Sequence, residues 1–111
     1  MSFPGTPVRR EALFGGTGTV SVWDLLEGGQ APPFTAVLGC ELAPGGSVGR
    51  HQQEQFPEIV VGLGGDGVAS VDGEEYSMCR GDVVHLPLGS VLALRNRSAT
   101  EPLVYLIVKA R

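Results

Sequence analysis

Lysine is almost missing from this chain of 111 residues: Lys109 is the only one, and Lys plus Arg total 8 against 12 Asp plus Glu. The resulting net charge of -4 excludes a phosphate-backbone binder as the first reading, because nucleic-acid recognition needs clustered cations. Arg9, Arg10, Lys109 and Arg111 sit near the two ends, so half of the small cationic set reads as solvated tails. No apolar run approaches the ~18 residues that a membrane span needs, and no basic stretch followed by an apolar core marks a signal peptide. Neither a nucleic-acid nor a membrane partner is expected, and a cytoplasmic location is. Only two cysteines are present, Cys40 and Cys79, with no second CxxC half. They read as two free thiols of a reducing compartment, not as a disulfide.

Glycine and proline are abundant instead, with 17 Gly and 8 Pro. That is roughly twice the usual ~12% share, and it would interrupt the helices of any bundle. Hydrophobic residues still make up 42% of the chain, which is too many for a disordered one. Many short apolar segments cut by turns describe a small all-β sandwich or barrel.

Period-2 alternation places the strands. Residues 1–16 show no period and read as an N-terminal arm with room for one short strand, leaving 17–111 as a single barrel domain. Residues 18–26 alternate, with Val20 and Val22 on one face and Ser21 and Trp23 on the other. In 34–43, Phe34, Ala36, Leu38, Cys40 and Leu42 form an apolar set, so Cys40 should point inward. Residues 47–53 place His51 and Gln53 on one side, and the run EIVVGL follows Pro57. Asp72-Gly73 between two alternating runs predicts a tight hairpin, because a type I′ turn needs positive φ at both central positions. The segments VVHLP, VLALRN and PLVYLIVKA complete eight or nine short strands, with no repeat and no linker.

The segment from Gly45 to Gly65 concentrates the chemistry. His51 and Gln53 share a strand face, and Glu58 opens the next strand. If these strands pair, imidazole, amide and carboxylate converge on one point, a donor set compatible with Fe, Mn, Ni, Zn or Co. The plain alternative is a solvated polar strand edge.

The spacing of these residues resembles the cupin family of small β-barrels. Gly45, His51, Gln53, Glu58 and Gly65 fall on its first motif, G-x5-H-x-H-x(3,4)-E-x6-G, with every interval kept. Gly81, Pro87, Gly89, Leu92 and Asn96 fall on the second, G-x5-P-x-G-x2-H-x3-N. The resemblance implies a double-stranded β-helix, or jelly-roll, barrel holding a small-molecule ligand, and often a divalent metal (Fe, Mn, Ni or Zn). It also implies a homodimer. Two of the family's ligand histidines are replaced, by Gln53 and Leu92, and only His51 and Glu58 remain as donors of the usual type.

Two residues offer themselves as substitutes. Cys40 is expected inside, as a ligand or as a small buried hydrophobe. His85 stands in the pattern Val83, His85 against Val84, Leu86, and the second pair is the better core face, which turns His85 outward. Trp23, Tyr76 and Tyr105 either line the cavity or pack elsewhere. Cys79, beside Arg80 at a turn, receives no role.

The expected pocket is therefore His51, Gln53, Glu58, Leu92 and Cys40. Three functions compete for it. One is a small-molecule-binding cupin with an incomplete, weak or absent metal site, and that is the expectation. The second is a metal-dependent enzyme of dioxygenase, isomerase or decarboxylase type, with His51, Gln53 and Glu58 as ligands and His85 as a lesser one. The third is a metal-free epimerase-like enzyme with His51 as base. With Glu58 inward, Ile59, Val61 and Leu63 point outward and need a cover: a second sheet, the N-terminal arm or another subunit, the last being the homodimer expected here.

Overall fold

A computed structural model describes residues 3–111. The ten strands are β1 (Val8–Glu11), β2 (Thr19–Asp24), β3 (Phe34–Leu42), β4 (Ser47–Gln52), β5 (Glu58–Gly64), β6 (Asp66–Val71), β7 (Glu74–Cys79), β8 (Val83–Leu86), β9 (Val91–Asn96) and β10 (Leu103–Ala110), with one 3-10 turn at Leu13–Gly15. A six-stranded sheet runs β1-β2-β3-β10-β5-β8 and a four-stranded sheet runs β4-β9-β6-β7. Their apolar faces close on one another as an all-β jelly-roll barrel. Cys40, Leu42, Val60 and Tyr105 from the larger sheet meet Val48, Met78, Leu92 and Leu94 from the smaller one.

The alternation read from the sequence carries over. Cys40 and Leu42 are buried on the inner face of β3. Asp72 and Gly73 have φ of 50° and 87° and join β6 to β7 with Val71 opposite Glu74, the expected two-residue hairpin. Both cysteines are free.

Asn96, the last residue of the second motif, fastens the two turns at one end of the barrel. Its amide nitrogen donates to the carbonyls of Leu42 (3.1 Å), Ala43 (3.1 Å) and Glu101 (2.9 Å). Its Oδ1 accepts from the Ser98 N–H at 2.9 Å. A single buried amide thereby satisfies backbone groups from two separate turns, which no apolar residue of its size can do.

Within the expected N-terminal arm, residues 3–16 form one short strand and a 3-10 turn; Met1 and Ser2 lie outside the described residues. Strand β1 pairs with β2, Val8 opposite Val22. The Leu13–Gly15 turn then brings Leu13 against the core and Phe14 over the barrel opening. On the outer surface, Phe3 lies over Gly39, where a Cβ would come within 2.6 Å of its ring. The Phe3 ring packs against Trp23 at 5.3 Å, and the Trp23 indole N–H donates to the Gly5 carbonyl at 3.2 Å. Trp23 is thus buried by the N-terminal segment and not by the cavity.

Ile59, Val61 and Leu63 lie on the outer face of β5, opposite the inward Glu58, Val60 and Gly62. Register joins them to further apolar residues, since Ile59 stands opposite both Val108 and His85, and Val61 opposite both Leu106 and Val83. Val83 is 60% exposed and Ile59 36%. The N-terminal segment covers this face at β2 and β3 and leaves it open at β5 and β8. No helix among the described residues is long and apolar enough to cross a membrane.

Candidate functional site

A β-bulge sets the site. Val48 stands opposite Leu94 and His51 opposite Leu92, so two residues of β4, Gly49 and Arg50, face the single residue Ala93 of β9. The extra residue breaks the period of two and turns both Val48 and His51 inward. Strict alternation could not have placed them on one side. Gly49 is needed at the bulge because a Cβ there would lie 1.9 Å from the Phe14 carbonyl oxygen.

His51 is held from two directions. Its Nδ1 lies 3.2 Å from the Gly49 carbonyl oxygen. A carbonyl only accepts, so Nδ1 carries the proton and the neutral ring presents Nε2 as a free acceptor. The Phe14 ring stacks on the imidazole, with centroids 4.2 Å apart and planes 18° from parallel. Burial lowers the pKa of His51 from its usual value; the Gly49 contact opposes this, and the positive charge of Lys109 adds to the lowering. His51 is therefore a neutral base at neutral pH.

Glu58 begins β5 with its side chain 1% exposed. Its Oε2 has no hydrogen-bond partner among the described residues. The nearest countercharge is the Lys109 ammonium, 3.9 Å from Oε2, an ion-pair distance without a hydrogen bond. Burial raises the Glu58 pKa, and Lys109 only partly offsets the rise. Nearby, burial pushes the Cys40 thiol up to about 12. Burial likewise raises the neighbouring Tyr105 phenol well above its usual value. Both are neutral groups at neutral pH and behave as packing.

These side chains divide between two spaces. An interior cavity of about 160 Å³ is bounded by His51, Glu58, Cys40, Tyr105 and Lys109 on its polar side, and by apolar residues including Leu38, Leu92 and Ile107. A recess of about 510 Å³ lies outside it, lined by residues 51–56 with Phe14 and Lys109. Phe14, His51 and Lys109 border both spaces. Gln53 follows the end of β4 and borders the recess only. It is 5% exposed, its backbone is fixed by Ser90 and Gly89, and its Nε2 has no partner among the described residues.

His51, Gln53 and Glu58, expected to converge on one point, line two adjoining spaces. His51 meets Glu58 in the cavity and Gln53 in the recess. Leu92 and Cys40 line the cavity, and of the three aromatic candidates only Tyr105 does. Tyr76 is 46% exposed and donates its hydroxyl to Glu74. His85 is exposed on the outer face of β8 opposite Ile59, beside a groove formed with Phe34 and Pro57, so it is no ligand of this site. Sequence reasoning missed Lys109 and Phe14. The period of β10 carried a signal for the first, since Lys109 continues the inward series Leu103, Tyr105, Ile107. Phe14 had none, because it sits at φ 53° in a turn with no repeating pattern.

A resident divalent metal does not fit this donor set. Among the described residues no three His, Cys, Asp or Glu side chains lie close enough to share an ion. The usual histidine place is taken by Leu92, which donates nothing, and the carboxylate faces an ammonium that a metal would have to displace.

An antiparallel jelly-roll barrel with an interior cavity behind a glycine-framed strand pair is the architecture of a cupin. The family model of the cupin domain matches residues 39–109, and the chain belongs to that family. Among solved structures it is similar to a protein of Thermotoga maritima described as a predicted oxalate decarboxylase, at 30% identity and TM-score 0.86, over 95% of this chain and 91% of the other. It is also similar to a cupin-superfamily sugar phosphate isomerase of Silicibacter pomeroyi, at 26% identity and TM-score 0.74, over 95% and 71%. A Cupin 2 conserved barrel domain protein of Salinispora arenicola aligns at 28% identity and TM-score 0.67, over 80% and 74%. A comparison with curated proteins found no match.

Proposed function

We propose that this cupin binds a small polar molecule in the cavity behind His51, without a resident metal. The observation that carries the reading is a largely apolar cavity with the unsatisfied Glu58 Oε2 at its border, next to a recess whose lining includes Gln53, with its unsatisfied Nε2. Buried polar atoms are ordinarily paired, so an unpaired donor and acceptor at a cavity mark places for a ligand or ordered water. The relatives described for oxalate and for sugar phosphates point to the same scale of ligand.

The test is an NMR titration with a panel of neutral and charged small molecules, alongside metal analysis of protein purified without added metal. Perturbations that centre on His51, Cys40 and Tyr105, in protein free of metal, support the reading. Stoichiometric Fe, Mn, Ni or Zn that is lost in His51→Ala overturns the metal-free part. A panel that perturbs nothing at the cavity overturns the binding part.

A second reading, a metal-free isomerase or epimerase, is favoured by one observation. The Gly49 contact fixes the His51 tautomer with Nε2 free, as a general base requires. Turnover of a sugar phosphate by metal-free protein, abolished in His51→Gln, would promote it above binding alone.

A further inference from the structure

We infer that Lys109 supplies the cation of this site in place of a metal, and that Lys109, Gln53 and Glu58 together select a small 2-hydroxycarboxylate. The inference rests on the binding reading above and specifies its ligand.

The only lysine of the chain is spent on a position where two spaces meet. It borders both the cavity and the recess, and its side chain remains 36% exposed. Its ammonium makes no hydrogen bond to Glu58 at 3.9 Å, so its donors stay open to a ligand. Two more groups are incomplete. Gln53 Nε2 is a buried donor without an acceptor, and Glu58 Oε2 is a buried oxygen without a donor. Burying them this way costs stability and returns nothing within the chain.

The three incomplete groups define a complement. Lys109 and Gln53 both border the recess and both donate, which suits the two oxygens of a carboxylate. Glu58 lines the cavity that Lys109 also borders, 3.9 Å from its ammonium, and its unpaired oxygen suits a hydroxyl next to that carboxylate. The rest of the cavity lining is mainly apolar and includes Leu92, Leu38 and Ile107, which accepts a short alkyl group and rejects a second charge. A cavity of about 160 Å³ holds about five waters at ~30 Å³ each, so the buried part of the ligand is small. A carboxylate, an adjacent hydroxyl and a short apolar tail together describe a 2-hydroxy acid. The proposal concerns binding, and no bond is made or broken in it.

The experiment uses the full chain and four probes: D-lactate, L-lactate, propionate, which lacks the hydroxyl, and lactamide, which lacks the charge. Inorganic phosphate and added Zn or Mn are separate arms. One lactate enantiomer is expected to bind about tenfold or more tighter than propionate and lactamide, the worth of one charge-assisted hydrogen bond. Lys109→Met and Lys109→Gln should each lose about the same factor while keeping the wild-type NMR fold signature.

Four results would overturn the inference: lactamide binding as well as lactate, undiminished binding in both Lys109 variants, phosphate outcompeting every hydroxy acid, or a metal that stabilises the wild type and not His51→Ala. Neutral probes that enter the cavity while lactate does not would end this inference and leave the binding reading standing. If no probe enters the cavity, both fall.

Discussion

Replacing Glu58 by Gln should stabilise this protein at alkaline pH and do nothing at acid pH. The Glu58 side chain is 1% exposed, and its one countercharge is 3.9 Å away on a lysine that is 36% exposed. At an effective dielectric of ~20 that attraction is worth about 4 kcal/mol before solvent screening, and the exposure of Lys109 reduces it. Stripping water from a buried carboxylate costs several kcal/mol. Burial wins the balance, as the raised pKa of Glu58 records. A raised carboxyl pKa means that the neutral form suits the folded state. Its contribution is fully present below the ordinary value of 4.5 and is lost as pH rises through the folded value.

The substituted amide has nearly the same shape as the carboxyl, carries no charge and leaves Lys109 free to hydrate. The expected gain is about 1 kcal/mol near pH 8, or a Tm rise of about 4 °C for a domain of this size. Near pH 4, where both side chains are neutral, the two proteins should melt together. Calorimetry across that pH range is the assay. An offset that is the same at every pH, or a loss at pH 8, would show that the Glu58–Lys109 attraction outweighs desolvation and would refute the reasoning. The gain would come with weaker ligand binding, the usual trade between stability and an incomplete site.

Four further outcomes follow from the same structure. Asn96→Ala should cost about 1–3 kcal/mol in denaturant unfolding, because three backbone carbonyls lose a shared donor. Gly49→Ala should cost a similar ~1–3 kcal/mol through overpacking, since its Cβ would meet the Phe14 carbonyl at 1.9 Å. By pushing the Leu13–Gly15 turn away, it should also speed diethyl pyrocarbonate modification of His51. The His51 ring should titrate below its ordinary 6.5 by NMR, and the stability it contributes, fully present above 6.5, should be lost as pH falls through the lowered folded value. The open apolar row of Ile59, Val61 and Val83 should make the chain a homodimer in light scattering, and Val83→Lys should yield monomer; a wild-type monomer at high micromolar concentration would refute this.

The turn framework was legible because turn chemistry is local. Gly45, Gly65, Gly81 and Gly89, identified by motif spacing, all adopt positive φ. At Gly65 a Cβ would also lie 2.4 Å from the Pro102 carbonyl oxygen. The Asp72-Gly73 hairpin was legible for the same reason, and so was the inward Cys40, since a period of two needs only the residues of one strand. The replacement of two ligand histidines by Gln53 and Leu92 could also be read directly.

The partition of the site could not. Gln53 and Glu58 were expected together and line different spaces, both bordered by His51, because which space a residue faces depends on where β4 ends and on how the two sheets close. The inward aim of His51 depends on a bulge that exists only in the register of β4 against β9. Lys109 reaches Glu58 across the β10–β5 pairing, 51 residues away in the chain and directly opposite in the sheet.

The sequence by itself determined a jelly-roll barrel, its turns and the loss of two metal donors, because each is written in residue type and local spacing. Only the tertiary structure decided that an ammonium faces the remaining carboxylate and that Glu58 Oε2 and Gln53 Nε2 are left unpaired, because those facts arise where distant strands meet and water is excluded.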